Sequence, residues 1–219
     1  MTNNESIKKI LTNQLSFFGA LSTSDLDDLN IYFEEAKKLT QETLSSYARI
    51  PKQFNLYQTH HLALFLYTFA RLLYEKRRCD DLCVKLYLLN RMLNGIDLFY
   101  KIKMPKYFLI GHGLGTIFSR ATYGNYLVVF QNSTIGVQDG SYPEIGEGVI
   151  IYPNSIIVGN TRIGNNCVIA AGTILVHKNI PDNSIVRGCE SMRITKNSKN
   201  LIDEYFDIPN GLKSRESPL

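Results

Sequence analysis

The sequence predicts an α+β fold: an α-helical domain over residues 1–95, a parallel β-helix of six-residue repeats over 96–195, and a tail over 196–219. Three observations carry the prediction. Fourteen of the fifteen glycines lie beyond Asn94. The stretch before them sets apolar residues at three- and four-residue steps. The stretch after them places one aliphatic residue at every sixth position, a period that neither a helix nor an ordinary strand needs.

In the helical half, "TSDLDDLNIYFEEAKKLTQETLSSYARI" opens on Ser and Asp cap candidates. It then puts Leu26, Leu29, Phe33, Ala36 and Leu39 on one face, and Pro51 closes the segment. A second helix, about Tyr57 to Lys76, is apolar around most of its circumference (Leu62, Leu64, Phe65, Leu66, Phe69), which predicts burial against other helices or another subunit. A third, "DDLCVKLYLLNRMLN", starts on acidic residues and stops at Gly95.

In the second half, Ile117, Tyr123, Val129 and Ile135 keep an interval of six, as do Ile145, Ile151, Ile157, Ile163, Ile169 and Leu175. Four places after each aliphatic residue stands a second recurring position, among them Leu127, Ser133, Val149, Ser155, Thr161, Cys167 and Thr173. Short strands of one hexapeptide that each turn through a third of a circle produce this pattern. The aliphatic residue fills the interior of a triangular prism and a small residue fits each corner. Stacked coils bury one another's faces as a solenoid. Ten residues instead of six separate Ile135 from Ile145, so part of "VQDGSYPE", Val137 to Glu144, must leave the prism as a loop.

Composition excludes several classes. A net charge of +4 and a pI near 8.8, with basic residues scattered apart from "EKRR", do not make a nucleic-acid stripe. "HLALFLYTFARLL" is too short to span a bilayer, and the N-terminus lacks the layout of a secretory leader. Cys79, Cys83, Cys167 and Cys189 form neither a disulfide framework nor a paired metal site, so no metal is expected. The chain reads as soluble and cytoplasmic.

The hexapeptide prism resembles the left-handed β-helix acyltransferases, and the chain beyond about residue 57 is similar to their serine acetyltransferase branch. That branch has Val-Asp-Ile-His-Pro followed, fifteen residues after the Asp, by a His in Asp-His-Ala-Thr-Gly. Here Ile96-Asp97-Leu98 precedes Gly111-His112-Gly113-Leu114-Gly115 at the same distance. "FQNSTIG" and a loop ending in Pro-x-Ile then follow in the branch's order. The resemblance implies an O-acetyltransferase that uses acetyl-CoA as co-substrate, assembled as a homo-trimer or a dimer of trimers. The chemistry fits those residues. An alcohol attacking a thioester needs a base matched to neutral pH, which an imidazole supplies, and a carboxylate one coil away can fix its tautomer. His112 is therefore the expected base and Asp97 its expected orienter.

The resemblance also implies a pantetheine groove between neighbouring prisms along Pro153, Gly159, Ala171 and Gly172. Lys178, and beyond it Arg187 or Lys196, would face the CoA phosphates. The acceptor site departs from the branch. Where the branch's loop carries Asp-Arg-His-Pro, this chain has Gly140-Ser141-Tyr142-Pro143, and Gly111 replaces the Asp before the catalytic His. Two charges suited to a zwitterion are gone, while Tyr142, Ser141, Gln131 and Asn132 remain. Those four are the expected acceptor-binding residues, and an aromatic with neutral partners suits a saccharide hydroxyl better than serine. A serine acetyltransferase with an unusual acceptor site and a non-catalytic scaffold are the alternatives. His60 and His61 read as helix-start or interface residues with a lesser claim on the acceptor site, and His177 as a solvent-exposed residue. The ending "GLKSRESPL" lacks the Ile with which the branch docks onto the next enzyme of cysteine synthesis.

Overall fold

A computed structural model of the chain describes residues 4–77, 80–189 and 191–207. Cys79 and the ending "GLKSRESPL" lie outside the described residues. Four helices come first: α1 (Asn4–Leu15), α2 (Thr23–Ser45), α3 (Thr59–Arg77) and α4 (Asp80–Asn94). Ser22 starts α2 with a reciprocal capping box. Its hydroxyl accepts from the Asp25 amide at 3.1 Å, and its own amide donates to the Asp25 carboxylate at 2.9 Å. The face that α2 buries is Leu29, Phe33, Ala36, Thr40 and Leu44; Leu26 and Leu39, expected on that face, are each 38% exposed. A 3.6-residue period turns away from Leu26 and Leu39 once Phe33 is aimed at Phe65 and Phe69, whose rings meet it edge-on at 5.6 and 6.3 Å. The all-round apolar surface of α3 is explained within the chain, since it packs between α2, α4 and the prism.

The prism has three parallel faces, traversed in a fixed order. The first face stacks Asp97–Leu98, Ile117–Phe118, Thr134–Gly136, Ile156–Val158 and Ile174–Val176. The second stacks Thr122–Tyr123, Glu144–Ile145, Arg162–Ile163 and Asn179–Ile180. The third stacks Phe108–Gly111, Leu127–Phe130, Ile150–Ile151, Val168–Ile169 and Ser184–Arg187, and closes with the antiparallel strand Arg193–Lys196. Val129, Ile151 and Ile169 fill the interior behind the third face, and Ile135, Ile157 and Leu175 behind the first, all at 1% exposure or less. The recurring corner hydroxyls are buried and satisfied: Ser155 donates to the Tyr152 carbonyl at 2.8 Å and Thr161 to that of Val158 at 2.7 Å.

The repeat's phase differs from the expected one in a single place. Ile117 is 41% exposed, and the inward residue is Phe118, which stacks on Ile135. Only five residues then lead to the next inward position, Tyr123, so this step is one residue short of the hexad. The loop does leave the prism, as a tight hairpin. Gln138 and Ser141 exchange both backbone hydrogen bonds, at 3.0 and 2.9 Å, around Asp139 (φ 50°) and Gly140 (φ 74°). Two positive φ values in a two-residue turn are the hairpin solution that matches strand twist, and Asp-Gly is the pair that adopts it at least cost.

Coils approach each other closely where glycine stands. A Cβ on Gly124 would come within 2.4 Å of the Gly146 carbonyl carbon and oxygen, both backbone atoms of the next coil, whereas one on Gly136 would meet the Ser119 Cβ at an ordinary 3.4 Å. Gly124→Ala should therefore cost about 1–3 kcal/mol by overpacking, a fall of several degrees in Tm, while Gly136→Ala stays within about 0.5 kcal/mol of the parent. Thermal unfolding of the two variants side by side checks this, and equal Tm values would refute it.

The chain after the last coil returns to the helical domain. Ala48 donates to the Tyr205 carbonyl at 2.9 Å and Asp207 to that of Ser46 at 2.7 Å, while Phe206 lies buried against Tyr47 and Tyr126. This return brings Glu204 and Tyr205 beside the segment after α2.

Candidate active site

The corner joining the third face to the first is the one that carries His112. His112 has φ 55°, in the left-handed region that a side chain with a Cβ seldom enters, and its imidazole is exposed. Gly111 and Gly113 flank it, and Leu114 turns back to donate to the His112 carbonyl. The turn thrusts the ring outward, where it accepts no side-chain partner among the described residues. It opens into a cavity of about 590 Å³. Ile50, Ile96, Leu109, Ile110 and Phe130 give that cavity apolar walls, and Arg49, Thr59, His60, Asn94, Glu204 and Tyr205 supply its polar groups.

His60 stands in the first turn of α3, with its ring edge-on to His61 at 4.3 Å. Burial, then the nearby His61 and His112, lowers its pKa to about 4. It is thus a neutral imidazole at physiological pH, and its Nε2 is buried with no hydrogen-bond partner. The buried Asn94 carries a second such atom, Oδ1, while its Nδ2 donates to Asn90 at 2.9 Å. Unsatisfied buried polar atoms in a native fold call for a missing partner, and a cavity wall is where a ligand supplies one.

Asp97 lies on the other side of Ile96, in a smaller cavity of about 270 Å³ bounded also by Arg91, Thr116 and Ile117. Helix α4 grips it from successive turns. The Tyr87 hydroxyl donates to its Oδ1 at 2.7 Å, and Arg91 Nη2 stands 3.7 Å from its Oδ2. Burial, then the carboxylate itself, raises the Tyr87 pKa and keeps that hydroxyl donating. No hydrogen bond or ion pair joins Asp97 to His112 among the described residues. The register explains the gap: Asp97 stacks on Ile117, past the corner, while His112 is in the corner.

The expected acceptor residues are not in the cavity. Tyr142 belongs to the hairpin at the next corner, and its ring is covered by the Arg120 guanidinium 4.8 Å from the centroid. Ser141 is held in the hairpin ladder. Gln131 and Asn132 are nearer, one coil beyond the His112 corner, and Gln131 Oε1 is buried without a partner. The expected CoA residues divide between two corners. Asn132 donates to Leu114, Asn154 to Gln131, and Gly172 to Pro153 (2.9, 3.2 and 2.9 Å), so Pro153, Ala171 and Gly172 continue the His112 column. Gly159 and Lys178 line the opposite edge of the first face, where the His177 imidazole occupies the space over Gly159. His177 accepts from the Asn160 amide and stands 3.5 Å from Asp139 at the hairpin tip, so it is exposed yet engaged.

Residues 142–177 match the family model described as bacterial transferase hexapeptide (six repeats). A serine acetyltransferase of Staphylococcus epidermidis is 27% identical over 191 residues, 84% of this chain and 83% of the relative. The soybean serine acetyltransferase solved with serine superposes with a TM-score of 0.68 at 22% identity, over 89% of this chain and 85% of that one. A serine acetyltransferase solved with CoA gives 0.67 at 18% identity, over 89% and 86%. The hexapeptide repeat, these relatives and the prism all fit a left-handed β-helix acyltransferase of the serine acetyltransferase-like branch. Within this acyltransferase, no group of three or more His, Cys, Asp or Glu suited to a metal occurs among the described residues, and no described helix is long and apolar enough to cross a membrane.

Arg49, Glu204, Asn94 and Phe130 are cavity residues that sequence reasoning did not single out. Arg49 and Glu204 meet only through the return of the chain to the helical domain, which no spacing announces. His60 carried a signal, the rare His-His pair at a helix start.

Proposed function

We propose that the protein transfers the acetyl group of acetyl-CoA to the hydroxyl of L-serine, with His112 as the general base. The observation that carries the reading is the exposed, unpartnered His112 imidazole set on a left-handed corner at the mouth of an apolar-walled cavity. The serine Oγ attacks the thioester carbonyl carbon as His112 takes the hydroxyl proton. The tetrahedral intermediate then collapses, the C–S bond breaks, and the departing CoA sulfur recovers that proton from His112. Apolar walls strengthen the charge interactions at the reacting oxygen by excluding water. Asp97 serves as the positioning carboxylate of His112, and acetyl-CoA lies along the column of Pro153, Ala171 and Gly172.

Serine replaces the saccharide as the preferred acceptor for two reasons. The curated relatives that cover most of the chain are serine acetyltransferases. Tyr142, on which a sugar ring would stack, has the Arg120 guanidinium over its ring and stands outside the cavity. Exposed Ile117, Ile156 and Ile174 form a ladder on the first face, which supports a trimer built on that face. Thiol release from acetyl-CoA, measured with L-serine and with a panel of mono- and oligosaccharides, tests the acceptor. Saturable, serine-dependent release is expected, and a saccharide used with higher kcat/KM would overturn the assignment.

A further inference from the structure

We infer that Arg49 and Glu204 together read the carboxylate and the ammonium of the acceptor. Among the described residues lining the His112 cavity they are the two with a full formal charge, one of each sign. Their Nη1 and Oε2 atoms stand 3.9 Å apart, beyond the 2.7–2.9 Å of a charge-assisted hydrogen bond. Neither makes a closer polar contact among the described residues. Both are open to solvent, Arg49 to 73% and Glu204 to 49%.

Stability does not account for the pair. An exposed ion pair contributes little to stability, and the return of the chain past Ser46 is already secured. Two backbone hydrogen bonds, the Tyr47–Phe206 ring contact and the Lys52–Asp207 ion pair hold it. What the loose pair does supply is two unsaturated charges at the mouth of the cavity that contains the base. Ammonium and carboxylate carried on one carbon can bridge the gap between them. Binding then exchanges one loose ion pair for two close ones, Arg49 with carboxylate and Glu204 with ammonium, and leaves the side-chain hydroxyl directed at His112. A zwitterion entering a site without such partners would lose its water with no return. The two charges therefore stand in for those missing from the Gly140–Pro143 hairpin.

The inference rests on serine as the acceptor, and the experiment separates the two. Wild-type enzyme is assayed first with L-serine, then with serinol, which lacks the carboxylate, and with glycerate, which lacks the ammonium. Arg49→Ala should raise KM for L-serine about ten- to a hundredfold with KM for acetyl-CoA unchanged, and should add no further loss with serinol. Glu204→Gln should do the same for L-serine and add no loss with glycerate. Arg49→Lys should recover part of the affinity, which a merely structural role would not predict. If wild-type enzyme saturates with L-serine and both variants keep its KM within twofold, the clamp is wrong and the serine reading stands. If wild-type enzyme ignores L-serine and acetylates a saccharide, both fall, and that outcome is visible before any variant is made.

Discussion

Replacing His112 with alanine is expected to lower kcat by about two to four orders of magnitude, the range that a lost general base commands. KM for acetyl-CoA should change little, because the column proposed for the donor, Pro153, Ala171 and Gly172, lies coils away from the imidazole. The ring's position makes this expectation sharp. His112 is exposed and its side chain supports no neighbour, so the main cost of alanine is the small local one of entering φ 55° less readily than histidine does. The variant should thus fold with a Tm close to that of the parent, so that loss of turnover reports chemistry. His112→Asn keeps a polar group without the base and should be equally slow. His60 is the competing base in the cavity, since it too is an imidazole there. It is a poor one, because a pKa near 4 leaves it a weak proton acceptor for an alcohol. Near-parental turnover of the His112 variants, with turnover lost in His60→Gln, would transfer the role and sink the assignment.

The fold was legible because the hexad is a statement about interior space. Ile145, Ile151, Ile157, Ile163, Ile169 and Leu175 are all buried to within 3% of completely, and their register follows from counting alone. Counting failed at Ile117 and Phe118, where two adjacent apolar residues both satisfy hydropathy and only the strand pairing of Ile117 with Thr134 decides which points inward. The helical face failed at Leu26 and Leu39 for a related reason, since aromatic packing around Phe33 rotates the helix away from its most leucine-rich stripe. The site was legible only where it is local. Glycines around a histidine mark a corner in any reading. Arg49 and Glu204 come from segments on either side of the prism, and neither their identity nor their neighbours mark them. The contact between Tyr142 and Arg120 was not legible, because Arg120 belongs to the preceding coil edge and is not adjacent in sequence.

Asp97 poses the second large prediction, because the structure gives its carboxylate to Tyr87 and Arg91 instead of to His112. The two oxygens are held unequally. Oδ1 accepts a 2.7 Å hydrogen bond from Tyr87, whereas Oδ2 has only Arg91 at 3.7 Å, beyond hydrogen-bonding distance. If Asp97 is the positioning carboxylate proposed above, the weakly held oxygen is the one free to receive an imidazolium N–H once His112 takes its proton, with Tyr87 keeping the carboxylate in place. A hydrogen bond to a charged group is worth about 1.5–3 kcal/mol, which corresponds to about ten- to a hundredfold in rate. Asp97→Asn should therefore lower kcat by that factor, less than His112→Ala, and leave KM for L-serine within a few-fold. Tyr87→Phe frees Oδ1 without removing the charge and should cost less than tenfold. A structural role for Asp97, as the residue that joins α4 to the first coil through its amide bond to Thr116, would act differently. That backbone bond survives Asp97→Asn, so a structural carboxylate would show itself in Tm and not in kcat. Measuring kcat, its pH profile and Tm on the same Asp97→Asn preparation separates the two. Unchanged kcat with a lowered Tm would remove Asp97 from the mechanism and leave His112 to act without a carboxylate partner.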